Sequence, residues 1–266
     1  ALDIALHDLV AKSMHQPLYK FLGGGKPELK ILTTVSVKAV AEMVSDAQLF
    51  VAQGFETLKI KVGLNPAEDI QRLKAIREAV GDSISILSDA NQGWDAKSAL
   101  QIIDSLAAQN LGIAMVEQPV KAWDYANLKY VRDNSRIPIY ADESAFNLRD
   151  VSKIIQAQMA DGINIKLMKS AGLYAARPIY DLATSHNLPC MAGCMLESPI
   201  GLAAMAAFVV GKSNIKFVDL DPIAMIKSNP VVGGVRLDGA TLHLSTGAGL
   251  GIENIQGLIP VVTIGA

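Results

Sequence analysis

Short runs of β-branched and apolar residues alternate along most of this chain with longer stretches in which apolar residues recur at intervals of three and four. That switch in period marks strand against helix. Strands are predicted over 31–37 (ILTTVSV), 57–63, 83–91, 113–119, 137–144, 162–168, 188–193 and 215–221. Between the first of them lie helical patterns over 38–54, 66–81 and 96–110, each closed by a Gly or an Asn. Eight β/α alternations with no intervening linker predict an α/β fold of the (β/α) barrel type, although the pattern alone leaves an open doubly wound sheet as an alternative. The ends depart from the repeat. Residues 1–25 read as an amphipathic helix with a glycine stop, and 231–253 (VVGGVRLDGATLHLSTGAGLGIE) as Gly-rich hairpins outside the barrel.

Charged residues recur at the ends of the predicted strands. Lys61 to Asp89 is 28 residues, Asp89 to Glu117 is 28, Glu117 to Asp142 is 25 and Asp142 to Lys166 is 24, each one β/α step; Asp219 and Asp221 follow two steps later. The C-terminal strand ends of a barrel converge on one site, and residues two apart on a strand share a face, so Lys59 joins Lys61. Numbered round the ring, Lys61 and Lys166 come from opposed strands, with three carboxylates between them and the Asp pair on the other arc. Three converging carboxylates repel unless a cation holds them, and an all-oxygen set suits Mg²⁺. Such a site would take a substrate carboxylate on the metal, a cationic group on Asp219 and Asp221, and the carbon beside the carboxylate between two lysines. That arrangement serves proton abstraction on one face and proton return on the other. Lys59, as a second ammonium, is expected to lower the pKa of Lys61 and to contact the substrate carboxylate. For the Asp pair a structural reading also stands, since Pro222 marks a turn in which Asp could be an Asx-turn acceptor.

Composition narrows the partners. Of 266 residues half are hydrophobic and 19% charged, and the formal net charge of −2 comes without a block of like charge, so nucleic acid and anionic membrane surfaces are excluded as expected partners. A small-molecule substrate remains. The longest apolar run, 201–211, is too short to span a bilayer, and no basic n-region followed by an apolar h-region stands at the start of the sequence. Two cysteines, Cys190 and Cys194, make neither a disulfide framework nor a zinc site, which makes a cytoplasmic location the default. The four histidines lie away from strand ends and receive no role.

The "KIK" of 59–61, Asp89 in "SDANQGW", Glu117 in "VEQP", Asp142 in "ADES", Lys166 in "NIKLMKSAG" and the "DLD" of 219–221 together resemble the enolase superfamily, in its muconate-lactonizing-enzyme subgroup, and most closely the dipeptide epimerases. The resemblance covers nearly the whole chain. It implies a modified (β/α)7β-type barrel, Asp89, Glu117 and Asp142 as Mg²⁺ ligands, and Lys61 and Lys166 as acid/base catalysts of a 1,1-proton transfer through an enolate. It also implies Asp219 and Asp221 as the site for a dipeptide's α-ammonium, and a homo-oligomer. L-Ala-D/L-Glu is the leading substrate expectation. Met195 and Leu196 are expected to line the substrate pocket, and Asn91 and Glu143 to orient ligands or lysines from behind. Family members begin with an α+β capping domain, so the expected organisation is a connecting helix over 1–30, the barrel over 31–221, and a segment over 222–266 completing a cap whose N-terminal part is missing. Alternatives are o-succinylbenzoate synthase, N-succinylamino-acid racemase or muconate cycloisomerase, and, in another class, a non-catalytic barrel that binds metal and ligand.

Overall fold

The computed structural model of the protein describes residues 1–258. In chain order it runs α1 (Leu2–Ser13), α2 (Leu18–Phe21), β1 (Glu28–Lys30), β2 (Thr33–Val35), α3 (Val40–Ala52), β3 (Thr57–Lys61), α4 (Pro66–Val80), β4 (Ser85–Asp89) and α5 (Ala96–Ala108). There follow β5 (Ile113–Glu117), α6 (Tyr125–Asn134), β6 (Ile139–Ala141), α7 (Leu148–Ala157), β7 (Gly162–Ile165), α8 (Leu167–Ser170), α9 (Leu173–Ser185), β8 (Cys190–Ala192), α10 (Pro199–Val209) and β9 (Ile215–Val218). The chain closes with α11 (Pro222–Met225), β10 (Val231–Gly233), β11 (Val235–Asp238), β12 (Thr241–Leu244) and β13 (Ile252–Ile255). All eight expected barrel strands form, each shorter than its apolar run.

Strands β2 to β9 make one parallel eight-stranded sheet in sequence order, and a backbone hydrogen bond from Leu32 N to Val218 O (2.9 Å) joins its first edge to its last. The ring is therefore a barrel rather than an open sheet. Side-chain alternation sorts the strands into two environments. Leu58, Ile60, Ile86, Val116, Ile139, Ile163 and Ile165 face outward into the main apolar core beneath the helices. Leu32, Leu87, Met115, Tyr140 and Met191 face inward and pack as a second, smaller cluster, with Phe217 edge-on to Tyr140. That inner cluster is the barrel's floor.

Helix starts follow capping chemistry. Asn65, Asp95, Asp124, Asn147 and Ser198 each accept a backbone N–H of the first turn of α4, α5, α6, α7 and α10, and Pro stands in the first turn of α4 and α10. Helix α10, apolar on every side, is buried at every residue except the half-buried Ile200. It packs on α2, α9, β11 and β12. The expected opening helix ends at Ser13, and a second short helix, α2, follows before the glycines.

Outside the barrel, β11 and β12 form the expected hairpin, and β1, which the apolar pattern did not reveal, adds a third antiparallel strand to it. A second pair joins β10 to β13. Helix α1 ties these parts together: Asp8 accepts from Leu250 N (2.7 Å) and Asp3 from Leu173 N (2.6 Å). The end of the expected 222–266 segment, residues 259–266, lies outside the described residues. Among those described, no helix is long and apolar enough to cross a membrane.

Candidate active site

The inward-facing residues above the apolar floor are polar, and register sets their height. Lys61 pairs with Asp89 across β3 and β4, and Asp89 with Glu117 across β4 and β5. Asp142 and Lys166 project from just past the ends of β6 and β7, and Asp219 and Asp221 from just past β9. All of these except Glu117 and Asp89, which lie directly beneath, line one cleft of about 350 Å³ together with Thr34, Met195, Leu196 and Met225.

Lys59 is 1% exposed, and its ammonium lies 2.9 Å from each of Asp89 Oδ2, Glu117 Oε2 and Asp219 Oδ2. Burial opposes its charge, but the carboxylates of Asp219, Asp89 and Glu117 outweigh that and hold it well above the ordinary lysine range. The structure thus places Lys59 among the acids, deep in the lining of the cleft, as well as two residues from Lys61. Lys61 stands higher, at the mouth, where its Nζ donates to Asp89 Oδ2 (2.7 Å) and Asn91 Oδ1 (2.6 Å). Asn91 is held in turn: its N–H donates to Asp89 Oδ1 (3.0 Å) and its side-chain amide to Glu143 Oε1 (3.2 Å).

On the far side Lys166 donates to Asp142 Oδ2 (2.6 Å), while Lys169 donates to Asp142 Oδ1 (2.5 Å) and to the carbonyls of Asp142 and Asn164. Burial would raise the Asp142 pKa, yet Lys169 and Lys166 hold it below the usual carboxylate range. Glu117 goes the other way: burial and then the charge of Asp89 push it up to about 7. Burial and Asp219 likewise push Asp221 up to about 6, and its Oδ2 accepts from Thr34 N (2.6 Å). Glu143, whose buried Oε2 has no partner, is raised by burial and by Asp142.

The sequence positions 59, 61, 89, 117, 142, 166, 219 and 221 are therefore gathered in one cluster, with Asn91 and Glu143 at its rim. Met195 and Leu196 stand exposed on the loop after β8. That loop is closed by Glu197, whose Oε1 accepts from Met195 N (3.1 Å). Sequence reasoning missed Lys169, Asn164 and Thr34. Lys169 carried a signal: three residues after Lys166, it shares a face with it once the strand gives way to the single turn of α8.

Whether a divalent cation suits these residues can be tested on charge and donors. Among the described residues no three acidic, His or Cys groups already stand together as ligands, because Lys59 sits between Asp89 and Glu117 and two lysines hold Asp142. The donor set nevertheless fits. Six carboxyl groups (Asp89, Glu117, Asp142, Glu143, Asp219, Asp221) face four ammoniums (Lys59, Lys61, Lys166, Lys169), a formal excess of two negative charges. Glu117 Oε2 meets only the Lys59 ammonium (2.9 Å), and oxygen is the only donor type offered, as a hard cation requires.

Comparison with known proteins points the same way. Residues 42–256 match the family described as enolase C-terminal domain-like. The L-Ala-D/L-Glu epimerase of Clostridium acetobutylicum is 42% identical over 256 residues, covering 96% of this chain and 72% of that protein. Among solved structures, a substrate-liganded complex of the Bacillus subtilis L-Ala-D/L-Glu epimerase superposes with a TM-score of 0.94 at 42% identity, over 96% of this chain and 71% of that one. The dipeptide epimerase of Enterococcus faecalis complexed with Mg and L-Leu-L-Tyr gives 0.92 at 41% identity, over 96% and 72%.

Proposed function

Because the chain belongs to the enolase C-terminal domain-like family, we propose that it is a Mg²⁺-dependent dipeptide epimerase that inverts the α-carbon of the C-terminal residue. The observation that carries this reading is the placement of Lys61 and Lys166 on β3 and β7, four strands apart in a ring of eight, on either side of one cleft. Asp89, Glu117 and Asp142 would hold the Mg²⁺, which supplies electrostatic stabilisation of the negative charge that develops on the substrate carboxylate when Cα loses its proton.

The chain's own residues do the rest. One lysine, as the neutral amine, takes the α-proton; the other, as the ammonium, returns a proton to the opposite face, and the roles exchange for the reverse direction. Asn91 and Asp89 hold Lys61 Nζ at the mouth, and Asp142 holds Lys166 Nζ, so both nitrogens are oriented before substrate arrives. Asp219 and Asp221 hold the dipeptide's α-ammonium, which selects a free N-terminus over an acylated one. Met195 and Leu196 flank the substrate side chains with apolar surface. L-Ala-L-Glu is the first substrate to test.

We further propose a cytoplasmic location, which the two free thiols, Cys190 and Cys194, support, and a homo-oligomer, which sedimentation velocity checks. The organisation we propose is a connecting helix, the barrel and a segment that completes a capping domain.

Proton NMR in D₂O with Mg²⁺ and a set of L,L-dipeptides tests the activity. Loss of the C-terminal residue's α-proton signal, abolished by Lys166→Ala, supports the epimerase. Exchange confined to N-succinylamino acids would move the assignment to the racemases of the same superfamily, and no exchange with either class would leave a binding protein.

A further inference from the structure

One buried polar side chain has no part in the chemistry above. Asn164, on β7 two residues before Lys166, is 0% exposed, and its Nδ2 donates to Glu117 Oε1 at 2.8 Å. The amide orientation is fixed by chemistry, because the oxygen would repel the carboxylate. Its own Oδ1 has no hydrogen-bond partner, and Glu117 Oε2 meets only the Lys59 ammonium, 2.9 Å away. A buried amide left half-satisfied costs free energy, so its retention calls for a reason. The neighbouring strand has been cleared for it. A Cβ on Gly193, just past β8, would stand 2.6 Å from Asn164 Oδ1, 2.8 Å from Nδ2 and 3.0 Å from Lys166 Cε. Gly193 is not among the residues with positive φ, so glycine is needed here for space rather than for backbone conformation.

We propose that Asn164, seated in the gap that Gly193 leaves, is a positioning residue for the cation site: it occupies Glu117 Oε1 and so turns Oε2, which otherwise meets only the Lys59 ammonium, toward the cation. The proposal rests on the reading of Glu117 as a Mg²⁺ ligand. The gap holds a second group as well. The same missing Cβ lets the Lys166 stem lie beside the amide, so the carboxylate that faces the cation and the amine that handles the α-proton are positioned by one notch in the barrel wall. Hydrogen bonds to the non-coordinating oxygen of a carboxylate ligand set its direction and commonly change metal affinity by about 10–100-fold.

The test is calorimetric titration of Mg²⁺ alone into the full chain without substrate. Asn164→Leu, similar in size and lacking the donor, should weaken Mg²⁺ binding by about 10–100-fold. In a Glu117→Gln background the same substitution should add about twofold or less, since the oxygen it positions has already been changed. A general loosening of the barrel would instead weaken binding by the same factor in both backgrounds. Gly193→Ala keeps every hydrogen-bonding group and stands in where Asn164→Leu fails to fold; it should also weaken Mg²⁺ binding and should reduce kcat with the dipeptide through Lys166. An Asn164→Leu affinity within about twofold of the unaltered protein, equal losses in both backgrounds, or a Gly193→Ala protein that binds Mg²⁺ normally would each overturn the proposal while leaving the epimerase reading intact. Failure of the unaltered protein to bind Mg²⁺ would overturn both.

Discussion

A lysine buried to 1% exposure is unusual, and Lys59 is tolerated because three carboxylates surround it. Lys169 follows the same rule on the opposite wall, where Asp142 and two backbone carbonyls take its protons. Replacing Lys169 by Met strands those groups and should lower stability by roughly 3–5 kcal/mol, read as a lower denaturation midpoint. At the mouth, Lys61→Ala and Lys166→Ala should each reduce epimerisation by about 10²–10⁴-fold or more, and each should block α-proton exchange from a different substrate isomer. Asp221 gives a pH dependence with a definite sign. Its carboxyl, pushed up to about 6 by burial and by Asp219, is neutral below that pH and then attracts an ammonium less. The kcat/KM for a dipeptide should therefore fall as pH drops through about 6, and in Asp221→Asn that limb should vanish.

Strand ends and the loops after them do the positioning. The β3–α4 loop, which follows Lys61, and the β4–α5 loop, which carries Asn91 into the cleft, cross where Gly63 meets Gly93: a Cβ on Gly63 would lie 2.3 Å from Ala90 O, and its φ is +104°. Beneath that crossing Asp69, on α4, accepts from Gly63 N (2.9 Å), Trp94 Nε1 (3.0 Å) and Arg72 Nη1 (2.9 Å). Asp69→Ala removes the acceptor common to both loops. The expected cost is roughly 3–5 kcal/mol, with a change in the emission of Trp94 and a loss of kcat through the displaced Lys61 and Asn91. Trp123, the only other tryptophan, is 77% exposed, so the two emissions are separable by quenching.

Over the whole molecule, the outward faces of the strands supply the main core, and the inward faces supply an apolar floor with the site above it, so stability and chemistry share the same strands. The cluster's formal excess of two negative charges links them. A cation that binds only the folded protein stabilises it by mass action, about 2.7 kcal/mol at a concentration of one hundred times Kd. Chelation with EDTA should therefore lower the melting temperature as well as stop exchange, and Mg²⁺ should restore both.

The sequence by itself determined the alternation of eight strands with helices, because the periods of two and 3.6 are local properties of the chain; closure into a barrel rather than an open sheet was decided by the pairing of the first edge with the last. The sequence also determined which charged residues could meet, since an interval of one β/α unit returns the chain to the same rim. It could not determine how they pair. Lys59 and Lys61 are equivalent in the pattern, yet one height step inside the ring makes Lys59 a partner of three acids and leaves Lys61 at the mouth. Strand β1 was illegible because three residues acquire strand structure only through β12, which is distant in sequence. Asn164 and Gly193 read as an ordinary polar residue and an ordinary glycine until the barrel closes. Their meaning depends on a contact between neighbouring strands at one height, and no local pattern encodes that contact.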